Sequence, residues 1–116
     1  MAHSSISGCL LPEGREREIL VILIEEVTEV IQEATKMLRF GVTSFKPGQE
    51  YDDIDRLSHE VGDFLVMLGM AELAGLVRPE SVSFGRDRKR RQLAKFMRSV
   101  GPEPIADPDD SPAKKI

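Results

Sequence analysis

The segment at residues 23–34, LIEEVTEVIQEA, places Glu25, Glu26 and Glu29 close together among aliphatic residues, on a stretch with helical patterning. Carboxylates four residues apart on a helix repel by roughly 0.2–0.5 kcal/mol. A second acidic pair, Glu60 and Asp63, lies one turn apart in HEVGDFLVM and runs directly into apolar residues. Acidic groups beside buried apolar surface are costly unless protonated, paired or bound to a cation. Oxygen-only donors select hard cations, Mg2+ or Mn2+, and argue against zinc. Four or five carboxylates exceed what a single Mg2+ takes from protein, so two or more ions are expected. Paired ions suit phosphoryl chemistry, where they hold both oxygens of an in-line displacement. Lys36 follows on the glutamate stripe, where it either meets a phosphate or bridges Glu33 at i,i+3. A di-iron bundle needs a Glu-x-x-His pair on its helices. Arg56 stands three residues before His59, so that alternative lacks its ligands.

These residues require helices to position them, and the punctuation of the sequence supplies three. The first is expected over residues 13–39, stopped by Gly41 in a loop that contains Gly, Ser and Pro. The second is expected from about residue 51 to 75, capped by Asp52 or Asp53. The third follows RPES, where Pro79 suits a first helical turn, and runs to about residue 99. No alternating strand pattern or internal repeat is present, so the chain reads as all-α. On the first helix Val27, Val30, Ile31, Ala34 and Leu38 form the expected core face, with Val21 and Ile22 apolar on the glutamate side. On the second, Phe64, Leu65, Val66, Met67, Leu68 and Met70 surround the axis. Three helices can hardly bury such a helix, which predicts a second subunit against it. Arg56, one turn before Glu60, is placed to pair with it.

With 116 residues and 41% hydrophobic content, one domain is expected. It spans residues 13–100, between a flexible leader at 1–12 and a disordered Pro- and Asp-rich tail at 101–116. Aromatics make up only 5%, so the core must be aliphatic and rich in methionine. The single cysteine, Cys9, excludes an intrachain disulfide and fits a reducing, cytoplasmic setting. The N-terminal residues lack a basic segment followed by a long apolar one, so no secretory signal is expected. The most apolar stretch, residues 61–77, is short and holds Asp63 and Glu72, which argues against a membrane span.

EEVTE followed by EVGD resembles the E-E-x-x-E … E-x-x-D signature of the MazG-like all-α nucleoside triphosphate pyrophosphohydrolases. LIEEVTEVIQEATKMLRFG, HEVGDFLVML and KRRQLAKFM are similar to small phage and bacterial members, and the resemblance covers roughly residues 20–98. It implies a helical bundle completed by dimerisation, sometimes as a dimer of dimers. It also implies hydrolysis of a nucleoside triphosphate to the monophosphate and pyrophosphate, serving pool control or house-cleaning. Carried over position by position, Glu26, Glu29, Glu60 and Asp63 would hold Mg2+. Glu25 would bind a further ion or orient the attacking water, and either Glu25 or Glu29 would be the general base.

Two departures from the family accompany the resemblance. Thirty residues separate Glu29 from Glu60, a long gap whose extra length, TSFKPGQEYDD, suits a lid or pocket rim. The chain also contains no Asn, whereas many members place one near a Lys on the third helix. The third helix is strongly basic: residues 86–98 hold seven Lys or Arg against one Asp, a local charge of +6 within a chain of −4. Helical spacing turns Leu93, Phe96 and Met97 inward with Arg86 and Lys89, and turns Arg88, Arg91 and Lys95 outward. Lys89 and then Arg86 are therefore the expected phosphate contacts there. Arg39 either joins them or complements the end of the first helix. The alternative to an enzyme is a non-catalytic helical dimer that binds nucleic acid or a protein through this basic helix.

Overall fold

The computed structural model describes residues 10–43, 45 and 47–97. The expected tail, and the leader up to residue 9, lie outside the described residues. Three helices follow in order: α1 (Gly14–Phe40), α2 (Asp53–Leu73) and α3 (Pro79–Phe96). Among the described residues there is no strand, so the chain is all-α as its sequence implies. None of the helices is long and apolar enough to cross a membrane. The chain divides between Val77 and Arg78 into two compact units, one holding α1 and α2 and the other α3.

The helix ends follow from particular residues. Gly41 adopts φ 102° and ψ 166°, a region that essentially only glycine occupies, and its N–H donates to Met37 O at 3.0 Å. Asp52, rather than Asp53, caps α2 by accepting from Asp55 N at 2.9 Å. Beyond Leu73, Gly75 sits at φ 78° and donates to Glu72 O, while Leu76 N reaches back to Ala71 O at 2.9 Å. That pair of bonds is a Schellman motif, and Leu76 packs onto the core as the motif's hydrophobic partner. Pro79 occupies the first turn of α3, where its missing N–H has no intrahelical partner to lose. The helix ends at Phe96, with Met97 already extended, earlier than the sequence suggests.

α1 and α2 form a hairpin whose core is Ile19, Met67 and Ala71, flanked by Ile22, Leu23, Met70, Ala74, Leu76 and Val77. The seam corrects the expected core face of α1. Val30 and Ala34 are half-buried, but Val27, Ile31 and Leu38 are exposed, and the side of α1 that meets α2 carries Ile19, Ile22, Glu26 and Glu33. A two-helix hairpin covers one stripe of each helix, and here that stripe lies nearer the glutamates than the aliphatic face. On α2, Met67 is buried and Phe64, Leu68 and Met70 are half-buried, while Val61, Leu65, Val66 and Leu73 remain exposed. In α3 no residue is buried. Leu93 is half-buried there, but Phe96 and Met97, expected to face inward, are exposed.

Candidate metal centre

Two antiparallel helices bring three of the expected carboxylates together. Single oxygens of Glu26, Glu60 and Asp63 all lie within 4.8 Å of one another. Glu26 and Glu60 are half-buried along the seam and Asp63 is exposed. The one-turn spacing of Glu60 and Asp63 puts both on one flank of α2, and Glu26 joins them from α1. Glu29 is exposed and outside this triad, yet close enough for its charge to act on Glu60. Glu25 is exposed and does not join the group.

The electrostatics are those of uncompensated acid. Partial burial, then the negative charges of Asp63, Glu29, Glu26 and Glu33, hold the Glu60 carboxyl above the ordinary range of a glutamate. Among the described residues, no Lys or Arg forms an ion pair with Glu26, Glu60 or Asp63. Oxygens around one octahedral Mg2+ stand about 3–4 Å apart, given metal–oxygen distances near 2.1 Å. The triad is an all-oxygen donor set of the kind that holds a hard divalent cation, with separations of up to 4.8 Å that exceed those of the closed octahedron.

The cations that sequence reasoning places near the acids are engaged elsewhere. Arg56 does not pair with Glu60. Its Nε faces Glu33 Oε1 at 3.6 Å, an ion pair too long for a hydrogen bond, and its terminal nitrogens donate to Asp53 Oδ1 and the Tyr51 carbonyl. Lys36 Nζ bridges Glu33 Oε2 at 3.2 Å, the i,i+3 contact that its spacing offers. Arg39 is exposed in the last turn of α1 with its guanidinium over the Phe40 ring at 5.2 Å. Arg86 and Lys89 are exposed on α3. Tyr51 meets His59 edge to face, with ring centroids 4.8 Å apart, at the start of α2.

Glu33 and Asp53 are the buried polar residues that sequence reasoning missed; Asp53 is 1% exposed and Glu33 7%. For Glu33 and its partner Arg56 there is a spacing that gains meaning only once the two helices are known to pair. Glu33 stands seven residues after Glu26 on α1, and Arg56 stands seven residues before Asp63 on α2. In an antiparallel pair, that spacing sets opposite charges two turns from the acid cluster on both helices.

No family model, curated protein or solved structure matches the chain.

Proposed function

We propose that the chain is a Mg2+-dependent nucleoside triphosphate pyrophosphohydrolase of the MazG-like kind, cleaving (d)NTP to (d)NMP and pyrophosphate. The observation that carries this reading is the gathering of Glu26, Glu60 and Asp63 within 4.8 Å, from the two halves of the acidic signature. Glu26, Glu60 and Asp63, with Glu29 beside them, would hold Mg2+, and Mn2+ suits the same oxygens. When bound, the ion supplies charge neutralisation along the triphosphate and makes the attacking water more acidic. Glu29, exposed at the rim, or Glu25 one turn before it, accepts the proton of that water. Lys36 and Arg39, further along α1, are the cations of the same unit that would meet phosphate oxygens. For Lys36 this means leaving Glu33.

The active form in this reading is a homodimer, alone or paired into a dimer of dimers. The three buried core residues include two large side chains, each contributing roughly 1.5–3 kcal/mol on burial. Ordering each residue costs about 1–2 kcal/mol, so a hairpin with this core needs more burial than it makes alone. Ile24, Ile31 and Leu38 on α1 and Leu65, Val66 and Leu73 on α2 are the exposed apolar residues that a second copy would cover.

The test is pyrophosphate release with Mg2+ across standard and modified (d)NTPs. Release from at least one of them is expected, falling to background in Glu29→Ala and Asp63→Ala variants of unchanged helicity. Equal turnover in those variants would remove the proposed site.

A second reading draws on α3. Phe84, Arg88, Arg91 and Lys95 share one face at i, i+4, i+7 and i+11 spacing, and the Arg88 guanidinium lies 5.9 Å from the Phe84 ring centroid. Cations interleaved with an exposed ring suit single-stranded nucleic acid. That reading predicts salt-sensitive oligonucleotide binding lost on Arg88→Ala/Arg91→Ala and retained in Asp63→Ala. No retardation of an oligonucleotide at low salt would remove it.

A further inference from the structure

We infer that the Glu33–Arg56 ion pair, backed by Asp53, is a positioning element that fixes the register in which α1 presents Glu26 to Glu60 and Asp63. The inference rests on the metal reading above for its functional consequence, and on the helix seam for its structural one. Glu33 and Arg56 belong to different helices, and Arg56 Nε faces Glu33 Oε1 at 3.6 Å inside the seam. Glu33 is 7% exposed and Asp53 1%, so the charges are largely out of water. Each acid is matched by a base: Asp53 by Arg56, and Glu33 by Arg56 and Lys36.

The geometry ties this cluster to the acidic triad. From Glu26 to Glu33 is seven residues along α1, and from Asp63 back to Arg56 is seven along α2. At 1.5 Å per residue both intervals span about 10.5 Å, so a register that closes the ion pair also closes the triad. A slip of one residue moves one helix by about 1.5 Å and turns its side chains by about 100°. Either shift would take Glu26 away from its two partners.

The apolar seam contributes to the register through Ile19, Met67 and Ala71, but it is small, and the half-buried Ile22, Leu23 and Met70 around it include a methionine that adapts to shifted neighbours. The triad cannot hold the register, since its like charges repel in the absence of a cation. Opposite charges facing each other across the seam favour one register: Lys36 and Asp53 stay with their own-helix partners in any register, but a slip loses the Glu33–Arg56 attraction where little water can replace it. Arg56 also donates to the Tyr51 carbonyl, which joins the same clamp to the entry of α2.

The experiment uses the full chain with Glu33→Gln, Arg56→Gln and Arg56→Lys, and two readouts. Mn2+ affinity, followed by electron paramagnetic resonance, is expected to weaken about tenfold or more in Glu33→Gln and Arg56→Gln. It should weaken by much less in Arg56→Lys, which restores a cation. The Glu33→Gln/Arg56→Gln double variant should be no weaker than either single. Separately, spin labels at Thr28→Cys and Ser58→Cys, in a Cys9→Ser background diluted with unlabelled chain, report the register without any metal. One narrow distance distribution is expected in the parent and a shifted or broadened one in the two Gln variants, at equal helicity. An unchanged distribution in both Gln variants overturns the proposal whatever the metal data show. A parent that binds no Mn2+ but keeps the label response overturns the metal reading alone.

Discussion

At the residue scale, the account turns on acids that lack a protein cation. The Glu60 carboxyl is held above its ordinary range by partial burial and by four neighbouring acids. Its folded-state pKa therefore exceeds its unfolded value. The corresponding stability is fully present below the unfolded pKa and is lost as pH rises through the folded one. Metal-free protein should accordingly become less stable to urea as pH rises above the ordinary glutamate range, and added Mg2+ should offset the loss. In Glu60→Gln that part of the slope should vanish. An identical slope in the variant, measured from urea midpoints in chelator, would contradict the assignment. Glu26, Glu60 and Asp63 were legible as candidates because each interrupts an aliphatic stretch, and the hairpin brings the three within 4.8 Å. Glu33, Asp53 and Arg56 were not, because a lone charge on a helix looks the same in a sequence whether it is solvated or paired across a seam.

At the element scale, helix limits were the readable part and helix faces were not. Gly41, Asp52, Gly75 and Pro79 act locally through backbone conformation and capping, so their effects do not depend on tertiary context. Replacing Gly41 by Ala should destabilise the chain by about 1–3 kcal/mol, since its φ of 102° with ψ of 166° is closed to a Cβ. Asp52→Ala should cost about 1 kcal/mol through the lost bond to Asp55 N. Both are read from shifts in denaturation midpoint, and no shift in either would mean that the cap is not formed. The packed face of α1 escaped periodicity because apolar residues surround its first turns and the seam takes only one stripe. Val27, Ile31 and Leu38 look like core in the sequence and are exposed in the hairpin, while Glu26 and Glu33 line the contact.

At the scale of the whole molecule, the exposed aliphatics are the feature that a single chain leaves unresolved. Leu38 and Leu73 are 90% and 92% exposed. If a second copy covers these faces, Leu65→Glu should abolish self-association in sedimentation analysis and lower helicity with it. A variant that stays dimeric and fully helical would place the interface elsewhere. All-α architecture was legible throughout, since the sequence offers no period-two alternation and the described residues contain no strand. What covers the exposed aliphatic faces was not, because periodicity marks an apolar face without saying what meets it. The central claim, however, is the cation between the two helices. It is tested most directly by the anomalous scattering of Mn2+ in crystals grown with a non-hydrolysable α,β-imido deoxynucleoside triphosphate. The account predicts a peak shared by oxygens of Glu26, Glu60 and Asp63 and by the phosphate chain. Mn2+ bound to the phosphates alone, with the three carboxylates turned away, would contradict it.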